Sequence, residues 1–286
     1  MVAIITPFNN DGSINEDKLK ELIDWHIESG TDVIVPCGTT GESATMTHDE
    51  HKQVVKLTIN HVNKRVPVLA GAGSNCTREA VELTQFAKDA GADGVLSITP
   101  YYNNPMPEGM FQHFKAINEV GIPIIAYNVP GRTGKNMPAE TTIRLANELE
   151  NVVGVKEASG DINQFMEIVA NTPNDFAVLS GEDALVFPMM ALGGAGSISV
   201  VANEVPNQFS RMIHACQEGN WEEARTIHYK LLPLMNHNFI ETNPIPVKTA
   251  LGLMGKIEPH MRLPLTPMAD NTLNTLKDTL TKLNLI

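Results

Sequence analysis

The stretch NVVGVKEASGD, residues 151–161, sets a lysine at the end of a short apolar run. Val152, Val153 and Val155 are β-branched, and Asn151 and Gly160 punctuate the segment, so residues 152–156 predict a strand. Seven more runs of this kind lie at 2–5, 32–36, 67–71, 94–98, 123–127, 176–180 and 196–200. Amphipathic stretches separate them. In NEDKLKELIDWHIESG (15–30), Leu19, Leu22, Ile23 and His26 recur at helical spacing, with Asn15 as N-cap and Gly30 as the stop. Strands too apolar for one wet face, alternating with helices, call for a parallel sheet covered by helices. Eight such repeats predict an α/β fold, a (β/α)8 TIM barrel, over residues 1–219. An open doubly wound sheet is the alternative. It would carry a phosphate-binding GxGxxG after the first strand, and ITPFNNDG is not that motif.

From about residue 220 the strand pattern stops. NWEEARTIHYKLLPLMNHNFI, NPIPVKTALGLMG and MADNTLNTLKDTLTKLNLI predict helices separated by Pro and Gly. Residues 220–286 are therefore expected to form a C-terminal helical region, whose simplest role is packing or oligomer contact.

The chain has 286 residues, 42% of them hydrophobic, ample for a full core. A formal net charge of −12 without any basic run argues against nucleic acid as a partner. No apolar run reaches the roughly 18–20 residues of a membrane span. MVAIITPF has neither a basic leader nor a small-residue cleavage site, so a cytoplasmic protein is expected. Cys37, Cys76 and Cys216 lack CxxC spacing and predict reduced, packed thiols.

In a barrel of this kind the chemistry gathers at the C-terminal ends of the strands. Those ends read Thr6, GTTGE (38–42), GAGSN (71–75), TPYYN (99–103), YNVPGRTG (127–134), Lys156, SGED (180–183) and Ile198. Polar, Gly-rich and aromatic residues collect there while the strand interiors stay apolar. Lys156 has two readings. One is a lysine snorkelling to water from a strand end; the other is a desolvated Schiff-base nucleophile. Lys248, in PIPVKTAL, is the comparison: a lysine in apolar company, but on a helix of the C-terminal region, away from the strand ends.

Of four tyrosines, Tyr101, Tyr102 and Tyr127 fall at strand ends, where a phenol can relay protons; each alone also fits as a rim aromatic. GTTGE offers two hydroxyls in a glycine-flanked turn suited to a carboxylate. Arg132, in a Pro/Gly loop, offers a fork for a second carboxylate, or is a surface arginine at a turn. The nine histidines do not converge with carboxylates, so no metal site is expected.

GTTGES, ITPYYN, YNVPGRTG, VVGVKEASGD, LSGED and NPIPVK together resemble the dihydrodipicolinate synthase family, within the N-acetylneuraminate lyase superfamily of class I pyruvate-dependent aldolases. The resemblance runs over essentially the whole chain. It implies that Lys156 forms an imine with pyruvate and that no cofactor is used. Tyr127 would relay protons, linked through Thr39 to Tyr102, which reaches in from a neighbouring subunit. Thr40 would hold the pyruvate carboxylate, Arg132 the carboxylate of L-aspartate 4-semialdehyde, and Gly181 and Ile198 would supply backbone groups. A homotetramer, a dimer of tight dimers, is the implied assembly.

The resemblance also implies an effector site for L-lysine at Ser43, Ala44, His48, His51, Asn75, Glu79 and Tyr101. Both histidines and Glu79 favour feedback inhibition. A sibling lyase acting on a keto sugar acid would keep Lys156 and Tyr127 but would not usually carry Arg132. A catalytically silent keto-acid-binding barrel is the reading from another class. Ala195 and Ser197 stand where the family often has Asn and Val.

Overall fold

The structure is a computed structural model that describes residues 1–286. From the N-terminus the elements are β1 (Val2–Ala3), α1 (Glu16–Glu28), β2 (Ile34–Val35), α2 (His48–Val62), β3 (Leu69–Gly71) and α3 (Thr77–Ala90). There follow β4 (Gly94–Ile98), α4 (Pro107–Asn118), β5 (Ile124–Asn128), a single helical turn α5 (Pro130–Thr133) and α6 (Ala139–Glu148). Next come β6 (Val152–Glu157), α7 (Ile162–Asn171), β7 (Ala177–Ser180), α8 (Val186–Ala191) and β8 (Gly196–Ser197). Four helices end the chain: α9 (Pro206–Gln217), α10 (Trp221–His237), α11 (Ile245–Leu253) and α12 (Asp270–Lys282). All eight expected strands are present, each followed by helix.

Local chemistry accounts for several boundaries. The Asn15 side chain accepts from Lys18 N at the start of α1, and Gly30, at φ 87°, follows its end. Thr47 and Glu50 close a reciprocal capping box on α2. Asp161 accepts from Asn163 N and Gln164 N and so starts α7 directly after β6.

The chain divides into two compact units. Residues 68–198 form one. Its six strands, β3 to β8, pair in parallel and in sequence order. Ile98, Tyr127, Lys156 and Leu179 lie side by side across β4, β5, β6 and β7. Because side chains alternate along a strand, Asn128, Glu157 and Ser180 form the next row, on the opposite face. Phe114 and Phe165 are fully buried among the helices of this unit.

Residues 1–67 and 199–286 form the other unit. Here β1 and β2 pair in parallel, and Val2 bridges Ser199 in the same sense. Buried Asn203 receives Ile5 N at 3.1 Å and donates to Ala3 O at 2.9 Å. Phe8, Ile4, Ile5, Leu19, Ile23, Ile34 and Phe209 are among its fully buried side chains, each worth about 1.5–3 kcal/mol of hydrophobic stabilisation. Cys37 and Cys216 are buried and all three thiols are free. No helix is long and apolar enough to cross a membrane.

Candidate active site

In the unit of residues 68–198 the strand register decides the neighbourhood of Lys156. Tyr127 is its direct partner on β5, so the two side chains leave the sheet on the same face. Lys156 Nζ lies 4.4 Å from the centre of the Tyr127 ring. The lysine is only 5% exposed, and Tyr127 is buried beside it. Burial drives the Lys156 amine from its ordinary 10.5 down to about 8; the Asp183 carboxylate pulls it up and the Arg132 guanidinium pushes it further down. An amine so placed has a substantial neutral fraction near neutrality, and the neutral amine is the nucleophile.

Gly181 is fixed by the same geometry. A Cβ there would sit 2.5 Å from Ala158 Cβ and 3.0 Å from Lys156 Cε, so only glycine leaves the lysine stem its path. Gly181 N donates to Glu157 O at 2.7 Å and Ile198 N to Ser180 O at 3.1 Å. The N–H groups of both residues are thus used by backbone partners.

Behind Lys156, Glu157 is completely buried and held by amide donors. Asn128 Nδ2 reaches both of its oxygens at 3.1 Å, Gln164 Nε2 reaches Oε2 at 2.9 Å, and Ser159 N reaches Oε1 at 2.7 Å. The sequence neighbours of Tyr127 and Lys156 thereby clamp the ends of β5 and β6 to α7. Arg132 is exposed on the short helix α5 that follows β5. Tyr102 follows β4, is 90% exposed, and takes a left-handed backbone (φ 70°).

Three of the expected effector residues lie in this unit, and two of them meet. Asn75 Nδ2 donates to Tyr101 O at 3.1 Å, and Glu79, in the first turn of α3, accepts from Ser74 Oγ at 2.7 Å.

The other unit carries the GTTGE turn. Cys37 and Glu42 both take left-handed backbone (φ 55° and 54°), and Glu42 N donates back to Thr39 O at 3.1 Å. Thr39 is partly buried; Thr40 is buried, and its hydroxyl accepts from Asn243 Nδ2 at 3.0 Å. Ser43 and Ala44 lie on the 3-10 turn that follows, His48 opens α2, and His51 is buried one turn on.

Lys248 departs from its expected surroundings. It is on helix α11, but it is not remote from the strand ends: its ammonium meets Glu42, in the turn after β2, at 2.5 Å. Burial holds this lysine below its usual range even though Glu42 pulls the other way. The sequence reading quoted Glu42, Asp183 and Asn243 only within motifs, gave none of them an individual role, and did not foresee this pair. The available signal for the pair was Lys248 itself, a charge in the apolar run PIPVKTAL that needs an opposite charge in order to be buried.

The comparisons with known proteins cover the whole chain. Residues 1–283 match the model of the dihydrodipicolinate synthetase family. The chain belongs to that family. It is an enzyme, a lyase. The 4-hydroxy-tetrahydrodipicolinate synthase of Syntrophotalea carbinolica is 56% identical over 287 residues, covering 100% of this chain and 98% of its own. The crystal structure of the chloride-inhibited dihydrodipicolinate synthase from Acinetobacter baumannii, complexed with pyruvate, superimposes with a TM-score of 0.97 at 46% identity, covering 100% of this chain and 98% of that one. The synthase from Cyanidioschyzon merolae with lysine bound gives a TM-score of 0.96 at 40% identity, covering 100% and 97%. The family's fold, the (β/α)8 barrel followed by helices, is the one the eight strand–helix repeats predict.

Proposed function

We propose that the protein is a 4-hydroxy-tetrahydrodipicolinate synthase, condensing pyruvate with L-aspartate 4-semialdehyde through an imine on Lys156. The observation that carries this is a buried lysine with its titration lowered to about 8, packed against a tyrosine. The names of the relatives support the substrate pair, and the pyruvate complex of the Acinetobacter baumannii relative supports the first partner.

Neutral Lys156 attacks the pyruvate C2 carbonyl, and the carbinolamine loses water to give the iminium. Loss of a C3 proton yields an enamine whose carbon attacks the semialdehyde carbonyl, leaving a hydroxyl. The semialdehyde's own amine then adds to the iminium carbon, closes the ring and expels Lys156. No cofactor enters this scheme.

Tyr127 relays the protons, its phenol linked through Thr39 to Tyr102 of a neighbouring subunit. The near-complete exposure of Tyr102 suits that role. Thr40 takes the pyruvate carboxylate and Arg132 the semialdehyde carboxylate, while Gly181 and Ile198 offer carbonyls. We place the protein in the cytoplasm as a homotetramer, opening lysine and diaminopimelate synthesis. L-Lysine is the inhibitor, bound by Ser43, Ala44, His48, His51, Asn75, Glu79 and Tyr101; a lysine-bound relative supports this.

The test is pyruvate consumption with L-aspartate 4-semialdehyde, beside a sugar aldehyde, in the wild type and in Lys156→Ala. Turnover with the semialdehyde alone, lost in the variant, is the expected result. Turnover with only the sugar aldehyde overturns the substrate and the role of Arg132.

A further inference from the structure

Within the unit of residues 1–67 and 199–286, the C-terminal region holds the GTTGE turn at Thr40 and Glu42 and the residues around it through Arg262. Asn243 holds the Thr40 hydroxyl at 3.0 Å. Lys248 holds the Glu42 carboxylate, both groups being essentially inaccessible. Arg262 donates to Thr45 O at 3.0 Å, to both oxygens of Glu50 at 2.6 and 2.9 Å, and to Gly12 O at 2.7 and 2.9 Å. Phe8 lies between the two cations, with Lys248 Nζ and Arg262 Cζ each 4.3 Å from its ring centre. Glu42 in the turn and Cys37 just before it stand in left-handed backbone, a conformation that persists only when the surroundings over-determine it.

We infer that Asn243 is a positioning residue for keto-acid binding, setting the Thr40 hydroxyl as a dedicated hydrogen-bond donor. A threonine hydroxyl has one proton and two lone pairs, and its rotor otherwise chooses between donating and accepting. The Asn243 amide donates into one lone pair, so the Thr40 proton points elsewhere. A carboxylate is acceptor-only and needs that proton. The buried Lys248–Glu42 pair holds the backbone on which the hydroxyl stands. The C-terminal region is then part of the active-site machinery, beyond packing. The inference rests on the proposed role of Thr40.

The experiment traps the pyruvate imine with borohydride and reads the fraction of modified protein by intact mass, giving the half-saturating pyruvate concentration. It compares the wild type, Asn243→Ala, Asn243→Asp, Thr40→Val and the Asn243→Ala/Thr40→Val double variant. Asn243→Ala raises that concentration about 3- to 10-fold, the worth of one hydrogen bond. Asn243→Asp raises it further, because a carboxylate takes the Thr40 proton and repels the substrate's charge. In the Thr40→Val background, Asn243→Ala adds nothing. A general loosening of the fold would act equally in both backgrounds and would appear in the melting temperature. An unchanged half-saturation in Asn243→Ala, or additive losses in the double variant, overturns the positioning role while leaving the imine reading intact. A wild type that takes no pyruvate overturns the imine reading itself, and the positioning role with it.

Discussion

Replacing Asp183 by asparagine and Arg132 by methionine should move the titration of Lys156 in opposite directions. In the wild type, burial brings the amine from 10.5 to about 8. At pH 7 that leaves roughly 10% neutral, against about 0.03% for an unperturbed lysine, a gain of about 300-fold in nucleophile. In free energy the shift is about 3 kcal/mol. The rate of imine formation at fixed pyruvate therefore rises about tenfold per pH unit below 8 and levels off above it. The Asp183 carboxylate favours the ammonium, so Asp183→Asn moves the midpoint down; Arg132 disfavours it, so Arg132→Met moves the midpoint up. The assay is borohydride trapping of pyruvate, without the aldehyde, at a series of pH values. Leaving the aldehyde out keeps the role proposed for Arg132 toward the second substrate out of the measurement. A wild-type midpoint near 10.5, or both variants moving the same way, would refute the reasoning.

Gly181→Ala should lower pyruvate trapping at least about tenfold and destabilise the fold by about 1–3 kcal/mol, because its Cβ would lie within 3.0 Å of the Lys156 stem; intact mass and thermal melting measure the two effects. Lys156→Met should abolish the adduct yet stabilise the fold at pH 7. With the folded pKa below the unfolded one, stability rises with pH between about 8 and 10.5, so urea unfolding should show the advantage of the variant shrinking across that window. Lys248→Met should cost about 3–5 kcal/mol by stranding the buried Glu42 carboxylate, and Glu42→Gln in the same chain should recover most of it; no recovery in urea unfolding counts against the pairing. His26 is buried and its titration falls to about 3, so stability is lost as pH drops from 6.5 toward 3. His26→Gln should flatten that acid limb by about 3 kcal/mol at pH 4.

The fold and the placement of Lys156 and Tyr127 were legible because their signals are local. Every strand sits where an apolar β-branched run lies between turn residues, and Asn15 and Gly30 mark α1 through chemistry contained in a few residues. Five of the observed ladders, β1, β2, β3, β7 and β8, are shorter than the runs. Residues 32–36 reduce to Ile34–Val35, because the backbone turns away at Cys37 with positive φ. Lys156 and Tyr127 stood out for a related reason: each lies one residue before the end of its strand, and a parallel sheet in sequence order makes those ends neighbours. The contacts that sequence could not give are those between residues about 200 positions apart. Thr40 with Asn243 and Glu42 with Lys248 have no period or spacing to reveal them. GTTGE was read for its hydroxyls, and its carboxylate turned out to be the anchor.

The division of the chain has a consequence for the order in which the protein is made. The unit of residues 68–198 is one uninterrupted segment, whereas its companion is opened by the first 67 residues and finished by the last 88. At roughly 5–20 residues per second, the ribosome needs about 10–45 s after Pro67 to deliver the remaining 220 or so residues. The middle segment emerges in time to settle on its own ladder of strands. The nascent amino-terminal piece waits, with Phe8 and Glu42 lacking the cations that will bury them, until Lys248 and Arg262 leave the tunnel.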